Sequence, residues 1–448
     1  MVCYKIANGC FVAFFLRCFY TERTKIVMAK SKLHYAWFVL IGIILIRSFA
    51  GGGLNMTSGL FLAPVASEIG VGIGNLSIYL SITSIVMVLW LPTAGKLINK
   101  YDIRVMAIIG AVLQALSFVA FGLMSSVLGW YLLAIPYAMG ATIIVNLLGP
   151  ILINRWFTKN AGLMMGIQMA CVGLFGAVLQ PLASSVITQQ GWRNAYYFIG
   201  GLTFIVVVLS SIFLIKNKPE DKKLSPYGAD EVATQKEARN QSEQSVEISE
   251  NVAIRSASFY LLLLFMISIT GVGVFNQHIP TYGALLGYSI QQTGSALAFA
   301  SIGTAIGSIA IGIVSDKIGS LKTCYGIIVI GIIAILGFLI SSNSFVVFAI
   351  STFLHGLVSS GIMVLAPILT IKFYGQQDYE KIYAKVSMGA PLSSIILIPT
   401  YGFIYDITQN YSIVLFGMIA LLLIALLCIA VGWKKRCTSK GCPRFIER

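Results

Sequence analysis

This sequence carries little charge and places almost none of it where its apolar runs are longest. Charged residues are 10% of the 448-residue chain and hydrophobic residues 57%, a balance that excludes an ordinary soluble core. None of the sixteen Asp and Glu falls in the middle of a long apolar run; Glu68 and Asp406 come nearest. A carboxylate relay that would carry protons through the membrane is therefore missing. G-x-S-x-G, H-E-x-x-H and phosphate-loop patterns are missing too, which argues against a membrane enzyme or sensor. The eight cysteines form no pair on one outer loop. Cys3, Cys10, Cys18, Cys437 and Cys442 lie in the termini, and Cys171, Cys324 and Cys428 in or beside apolar runs, so no structural disulfide is expected. The tail motif CTSKGC lacks further ligands, and neither a metal nor another cofactor is expected.

What the chain does have is a series of runs long enough to cross a hydrocarbon core of roughly 30 Å, which takes about 20 helical residues. Twelve spans are predicted, at 35–64, 76–95, 103–125, 129–153, 161–188, 195–216, 256–284, 293–316, 321–342, 345–371, 382–406 and 410–433. The fold class is an all-α membrane protein. The polar stretch 217–255, rich in Lys, Glu, Ser and Gln, cannot bury a core and reads as a solvated linker between two six-helix bundles, 35–216 and 256–433. Cytoplasmic segments 1–34 and 434–448 flank them. NGCFVAFFLR, within residues 1–27, is too short to span, and translation is expected to begin at Met28.

Basic residues set the orientation. Of the 31 Lys and Arg, all but Arg47 and Arg193 fall in, or within a few residues of, the termini, the linker, or the loops after spans 2, 4, 8 and 10. Those segments are cytoplasmic by the positive-inside tendency, with both chain ends inside. The net charge of +15 thus reports topology and contact with anionic lipid, not nucleic acid. All six Trp are predicted at or near span ends, where amphipathic indoles sit.

The bundles repeat. GKLINKYDIR begins at Gly95 and GIVSDKIGSLK at Gly312, RWF at Arg155 and KFY at Lys372, while YYFIG ends at Gly200 and IVLFG at Gly417; each pair is separated by 217 residues. Three separated anchors with one offset describe a six-helix unit used twice.

The six-plus-six layout and the glycine-led basic loops after spans 2 and 8 resemble the major facilitator superfamily. Within it, RWFTKNAGLMMGIQMACVG, at the start of span 5, is similar to a stretch of the monocarboxylate transporter and oxalate/formate antiporter branch. Phe157, Lys159, Leu163, Gly166, Ile167 and Ala170 match it; Asn160, Ala161, Met164, Gln168 and Cys171 depart from it. GWRNAYYFIG, QHIPTYGALLGYS and KPEDKKLSPYG are further matches, over about residues 30 to 433. The resemblance implies a transporter that works by alternating access, monomeric, in a bacterial plasma (inner) membrane. It also implies a gating latch in the inner loops. Gly95, Lys100 and Arg104 fit the first copy of that loop, but Asn99 replaces its acid and Asp102 its second glycine. Gly312, Asp316, Lys317 and Gly319 keep both features in the second copy, so the latch is expected to rely on Asp316, with Arg155 in the loop after span 4.

Ionisable residues inside spans mark candidate substrate contacts. Arg47 lies twelve residues past Tyr35, roughly 18 Å along the helix and near mid-membrane. No buried carboxylate is available to it, and an unpaired guanidinium there costs about 2.5 to 3.5 kcal/mol. An arginine facing a central cavity can hold a carboxylate in paired hydrogen bonds, so a small organic anion such as a mono- or dicarboxylate is the expected substrate. In the resembled branch the substrate arginine is carried in span 8, with an acid beside it in proton-coupled members. Span 8 here has neither until Asp316. A proton or a counter-anion remains the candidate coupling partner, and anion exchange or uniport gains from the missing acids. His278, next to the helix-breaking Pro280, and His355 are candidate proton carriers. Asn55, Gln168 and Gln277 are candidate polar contacts. The glycines Gly51 to Gly53 and Gly59 are read as permission for close packing of span 1. A transporter of a sugar, amino acid or drug stays open as an alternative.

If the inner latch works through its acid, Asp316→Asn will slow transport strongly at normal expression. An unchanged initial uptake rate would reduce both loops to ordinary basic connections.

Overall fold

The computed structural model describes residues 34–435 except 159–160, 223, 229–247 and 376–377. Residues 1–27 with the start at Met28, the cysteines of both termini with the CTSKGC motif, Lys159, Asn160 and the middle of the linker lie outside the described residues.

Among the described residues, eleven helices are long and apolar enough to cross a membrane. One of them, Ala161–Phe213, has 53 residues, about 80 Å if straight and far more than one crossing needs. Gly191, at φ 84° and ψ 164°, divides it into two spans. Twelve spans result: α1 Ala36–Ile69, α2 Ile73–Lys100, α3 Ile103–Phe121, α4 Val127–Trp156, α5 161–190, α6 192–213, α7 257–285, α8 Ile290–Ile318, α9 Ser320–Leu339, α10 Phe345–Tyr374, α11 Gly389–Thr408 and α12 Ser412–Lys434. The break expected at QHIPTY is present in α7. A 3₁₀ turn, Val274–Gln277, is followed by Ile279–Leu285 with Pro280 in its first turn, where the missing N–H matters least.

Large apolar side chains on the bundle exterior stay exposed, from 37% for Met169 to 83% for Ile407. Such a belt would aggregate in water and suits lipid. Inside, each half builds an aromatic core. Phe61 stacks on Tyr196 at 4.0 Å in the first, and Phe275 meets Phe338, Tyr401 and Tyr411 in the second. Phe121 and Phe338 occupy the two cores at the same 217-residue offset. Trp90 departs from the expected interfacial placement of tryptophans, lying within α2 ten residues before Lys100 with its indole N–H buried and unbonded.

Lipid tails are as apolar as leucine, so close backbone approach rather than water exclusion must hold such helices together. Span 1 shows how. A Cβ on Gly52 would lie 2.8 Å from the Val172 carbonyl oxygen and 3.0 Å from the Gly176 nitrogen of α5, so only glycine lets these two backbones touch. The same stretch, Ser48–Asn55, is wound as a π-helix, as are Val112–Leu116 in α3 and Thr142–Leu147 in α4.

The linker ends are not solvated as expected. The Tyr227 N–H donates to the Trp156 carbonyl at 2.9 Å, and the Thr158 N–H to the Tyr227 carbonyl at 3.0 Å. At the other end the Ile248 N–H donates to the Tyr374 carbonyl at 3.2 Å, and Lys385 pairs with Glu250 at 2.7 Å. Phe157, beside the first dock, and Tyr374, at the second, are again 217 residues apart.

Among the described residues, the hydrogen bonds that join the halves lie on the outer side. Ser58 donates to Gln277 at 2.8 Å, Ser301 to Gln180 at 3.0 Å, Ser81 to the Ile395 carbonyl at 2.8 Å and Gln291 to Ser185 at 3.4 Å. The Asp406 carboxylate of α11 accepts the N–H groups of Ile73 and Gly74 at 2.9 and 2.8 Å, so one half caps the first turn of α2 in the other. On the inner side, a Cβ at Gly95 or Gly312 would meet nothing within 4 Å. Neither loop glycine is therefore at a close helix approach here.

A carboxylate at a helix N-terminus contributes about 1 kcal/mol through charge-assisted hydrogen bonds and the helix dipole. Asp406→Asn should shift the equilibrium about fivefold toward an open outer face. Labelling of a cysteine placed at the buried Thr281 by a membrane-impermeant thiol reagent should rise accordingly; unchanged labelling would mean that the clasp does not hold this face shut.

Candidate anion site

Arg47 ends the α-helical first part of span 1 and is 5% exposed. Its Nε and Nη1 are buried and make no hydrogen bond. The ion pairs of the described residues, Arg104–Asp102, Arg193–Glu68, Lys381–Asp378 and Lys385–Glu250, leave it out. Gln168 of α5 is 1% exposed, and both its Oε1 and its Nε2 lack partners. The two side chains converge on Gly149 of α4. A Cβ on that glycine would lie 2.5 Å from Gln168 Oε1, 2.8 Å from Arg47 Cδ and 3.3 Å from Arg47 Nη1. Any side chain at 149 would fill the place where they meet.

The level of this cluster differs from the sequence expectation. Helix side chains lean toward the N-terminus, which in span 1 is the inner end by the basic-loop orientation. Gly149 stands seven residues before Trp156 at the inner end of α4, or about 10 Å at 1.5 Å per residue. The guanidinium therefore lies nearer the N-terminal end of span 1 than its middle, toward the end of the bundle that the contacts between the halves leave free.

The other candidates lie elsewhere. Asn55 closes the π segment beyond Arg47, where its Oδ1 accepts from Gln114 Nε2 at 3.0 Å and from the Tyr137 hydroxyl at 2.5 Å. Gln277 is in the outer seam, accepting from Ser58. His278 is fully buried in the aromatic core of the second half. Its Nε2 lies 2.8 Å from the Ile398 carbonyl, so that nitrogen carries the proton, and Nδ1 accepts from the Tyr411 hydroxyl at 3.2 Å. His355 likewise donates from Nε2 to the Val272 carbonyl at 2.9 Å, and its Nδ1 is unbonded. The structure brings Arg47 and Gln168 together and leaves Asn55, Gln277 and the two histidines at other places.

The inner loops are also differently arranged. Asp102 caps α3 by accepting the Arg104 N–H at 2.8 Å and pairs with the Arg104 side chain at 2.9 Å. Burial by itself would raise the Asp102 carboxyl, but the Arg104 side chain, backbone N–H and charge outweigh it and hold it below the usual carboxylate range. Both residues are thus engaged within their own loop. Lys100 lies over the Tyr101 ring at 5.6 Å, and Arg155 donates to Asn217 at the start of the linker at 2.5 Å. Asp316 and Lys317 are exposed, and none of the ion pairs of the described residues includes them.

Sequence reasoning missed Gly149, whose role is visible only through the two side chains that meet on it. It also missed the partners of Asn55 and the Gln180–Ser301 bond between halves. Gly149-Pro150 inside an apolar run was the one available signal, since both residues are unfavourable in a helix interior.

The Major Facilitator Superfamily matches residues 43–344 and 261–441. Among curated relatives, an oxalate:formate antiporter of Oxalobacter formigenes is 25% identical over 64% of this chain and 65% of its own length. An uncharacterized MFS-type transporter of Escherichia coli K12, YhjX, is 20% identical over 80% of this chain and 86% of its length. Monocarboxylate transporter 4 of Gallus gallus is 23% identical over 45% and 42%. The chain thus spans just under two thirds of the antiporter and less than half of the monocarboxylate transporter that it matches. Of solved structures, a variant of the nucleoside transporter NupG superposes with a TM-score of 0.67 at 12% identity, covering 89% of this chain and all of that one. A bacterial homolog of the human lysosomal transporter Spinster, in an inward-facing and unoccupied conformation, gives 0.62 at 13% identity, covering 91% and 100%. With the twelve-span fold, its internal repeat and a family match across most of its length, this chain is a member of the Major Facilitator Superfamily.

Proposed function

We propose that this protein is an alternating-access transporter of small organic anions, with Arg47 as the anion anchor. One observation carries the reading: a guanidinium buried among spans 1, 4 and 5 with Nε and Nη1 unbonded and no carboxylate paired to it. A charge held there unpaired is costly, and an anionic substrate supplies the missing partner. Two relatives point to the same class by name, one as an oxalate:formate antiporter and one as a monocarboxylate transporter.

The arrangement favours a single carboxylate and exchange. One permanent positive charge in the site neutralises one negative charge, so a second carboxylate on the ligand would have no cation opposite it. An empty carrier must carry the bare guanidinium through its closed state, at a cost of about 2.5 to 3.5 kcal/mol, which slows the empty return on the order of a hundredfold. A carrier loaded with a second anion avoids that step. Transport then runs in a bacterial inner membrane, by a monomer with both termini cytoplasmic, and the inner loops bearing Asp316 and Lys317 close as the outer seam opens.

Labelled acetate uptake into proteoliposomes, each batch filled with one of a panel of carboxylates, tests this directly. Internal anion should accelerate uptake on the order of a hundredfold over empty vesicles, with no requirement for a pH gradient. Lack of stimulation by every internal anion would count against exchange. Arg47→Gln should abolish saturable uptake while the protein still elutes as a monodisperse species; wild-type kinetics in that variant would remove the anchor.

A further inference from the structure

Gln168 is the second unsatisfied group of the site, and it is unsatisfied on both atoms. Oε1 has no donor and Nε2 no acceptor, at 1% exposure, with Oε1 against the same point beside Gly149 as the Arg47 side chain. Gln180, twelve residues further along the same span, is satisfied by contrast: it donates from Nε2 to the Met56 carbonyl and accepts at Oε1 from the Ser301 hydroxyl.

From this we infer that Gln168 is a specificity-determining residue, which selects carboxylates that carry a hydroxyl on the adjacent carbon. The inference rests on Arg47 being the anion anchor. A plain carboxylate offers acceptors only. It can take N–H groups from Arg47 and from Gln168 Nε2, but it leaves Oε1 buried without a donor. A 2-oxo acid adds another acceptor and has the same defect. A 2-hydroxy acid supplies both halves: its hydroxyl donates to Oε1, a carboxylate oxygen accepts from Nε2, and the carboxylate still faces the guanidinium. A 2-amino acid also has a donor, but its ammonium would sit beside Arg47 with no carboxylate of the described residues paired there. Sites built to satisfy a ligand hydroxyl reject analogues that lack it, because the protein's own polar atom is then stranded.

Four two-carbon probes separate these cases: glycolate, acetate, glyoxylate and glycine, titrated by calorimetry into the purified full-length protein. Glycolate should bind about 5- to 150-fold more tightly than acetate or glyoxylate, and glycine weakest. In Gln168→Met, which keeps the volume and removes both polar atoms, glycolate and acetate should bind within about twofold of each other. Equal affinities for glycolate and acetate in the wild type would overturn the inference and leave the anion anchor standing. Tightest binding of glycine would overturn it as well, in favour of a zwitterion. Heat from none of the carboxylates would instead overturn the anchor itself. A preference for glycolate that persists in Gln168→Met would place the selection elsewhere; should that variant fail to fold, the wild-type order of the four probes still decides.

Discussion

One unpaired charge constrains this molecule more than any other feature. A guanidinium cannot shed its proton at physiological pH and cannot be left bare in hydrocarbon, so the surroundings of Arg47 have to manage it. Spans 1, 4 and 5 shield it, Gly149 gives it room, and Gln168 stands beside it with nothing of its own to bond. A structural arginine would be expected to spend its N–H groups on carbonyls or hydroxyls nearby. Here Nε and Nη1 remain unspent, which is the observation behind the proposed anion site.

In the proposed cycle, the second constraint is that such a site must be reachable from one side at a time. Helices that lipid does not push together are joined here by small residues and by polar bonds concentrated at the outer face. A Cβ on Gly402 would lie 2.7 Å from Gly74 Cα, and Asp406 seals the same corner by capping α2. No comparable bond joins the inner ends among the described residues. The inner latch expected from the sequence has no ion pair through Asp316 among the described residues.

The fold was legible because its signals are redundant. Run length, the placement of Lys and Arg, and the 217-residue repeat each lead separately to two six-helix bundles. The site was only partly legible. Arg47 stood out because a charge in an apolar run has few explanations, yet Gln168 was one of several amides, and nothing linear distinguishes an amide that bonds from one that does not. Asn55 and Gln277 look equivalent to it in sequence and turn out to be bonded to Gln114, Tyr137 and Ser58. His278 and His355 are visible as titratable groups, but their carbonyl partners come from other helices. The linker ends dock through backbone groups, which composition cannot report.

The π segments give the two halves different mechanical characters. All three lie in the first half, in spans 1, 3 and 4, and their counterparts 217 residues on, at 265–272, 329–333 and 359–364, are ordinary α-helix. A π turn holds one residue more than an α turn. Letting one such residue pass along the helix rotates everything beyond it by about 100° and advances it by about 1.5 Å. Span 1 therefore contains, between the charge at Arg47 and the seam at Ser58, a stretch whose phase can slip by a notch. The duplicated unit thus carries π turns in three spans of one half, where the matching stretches of the other keep α geometry.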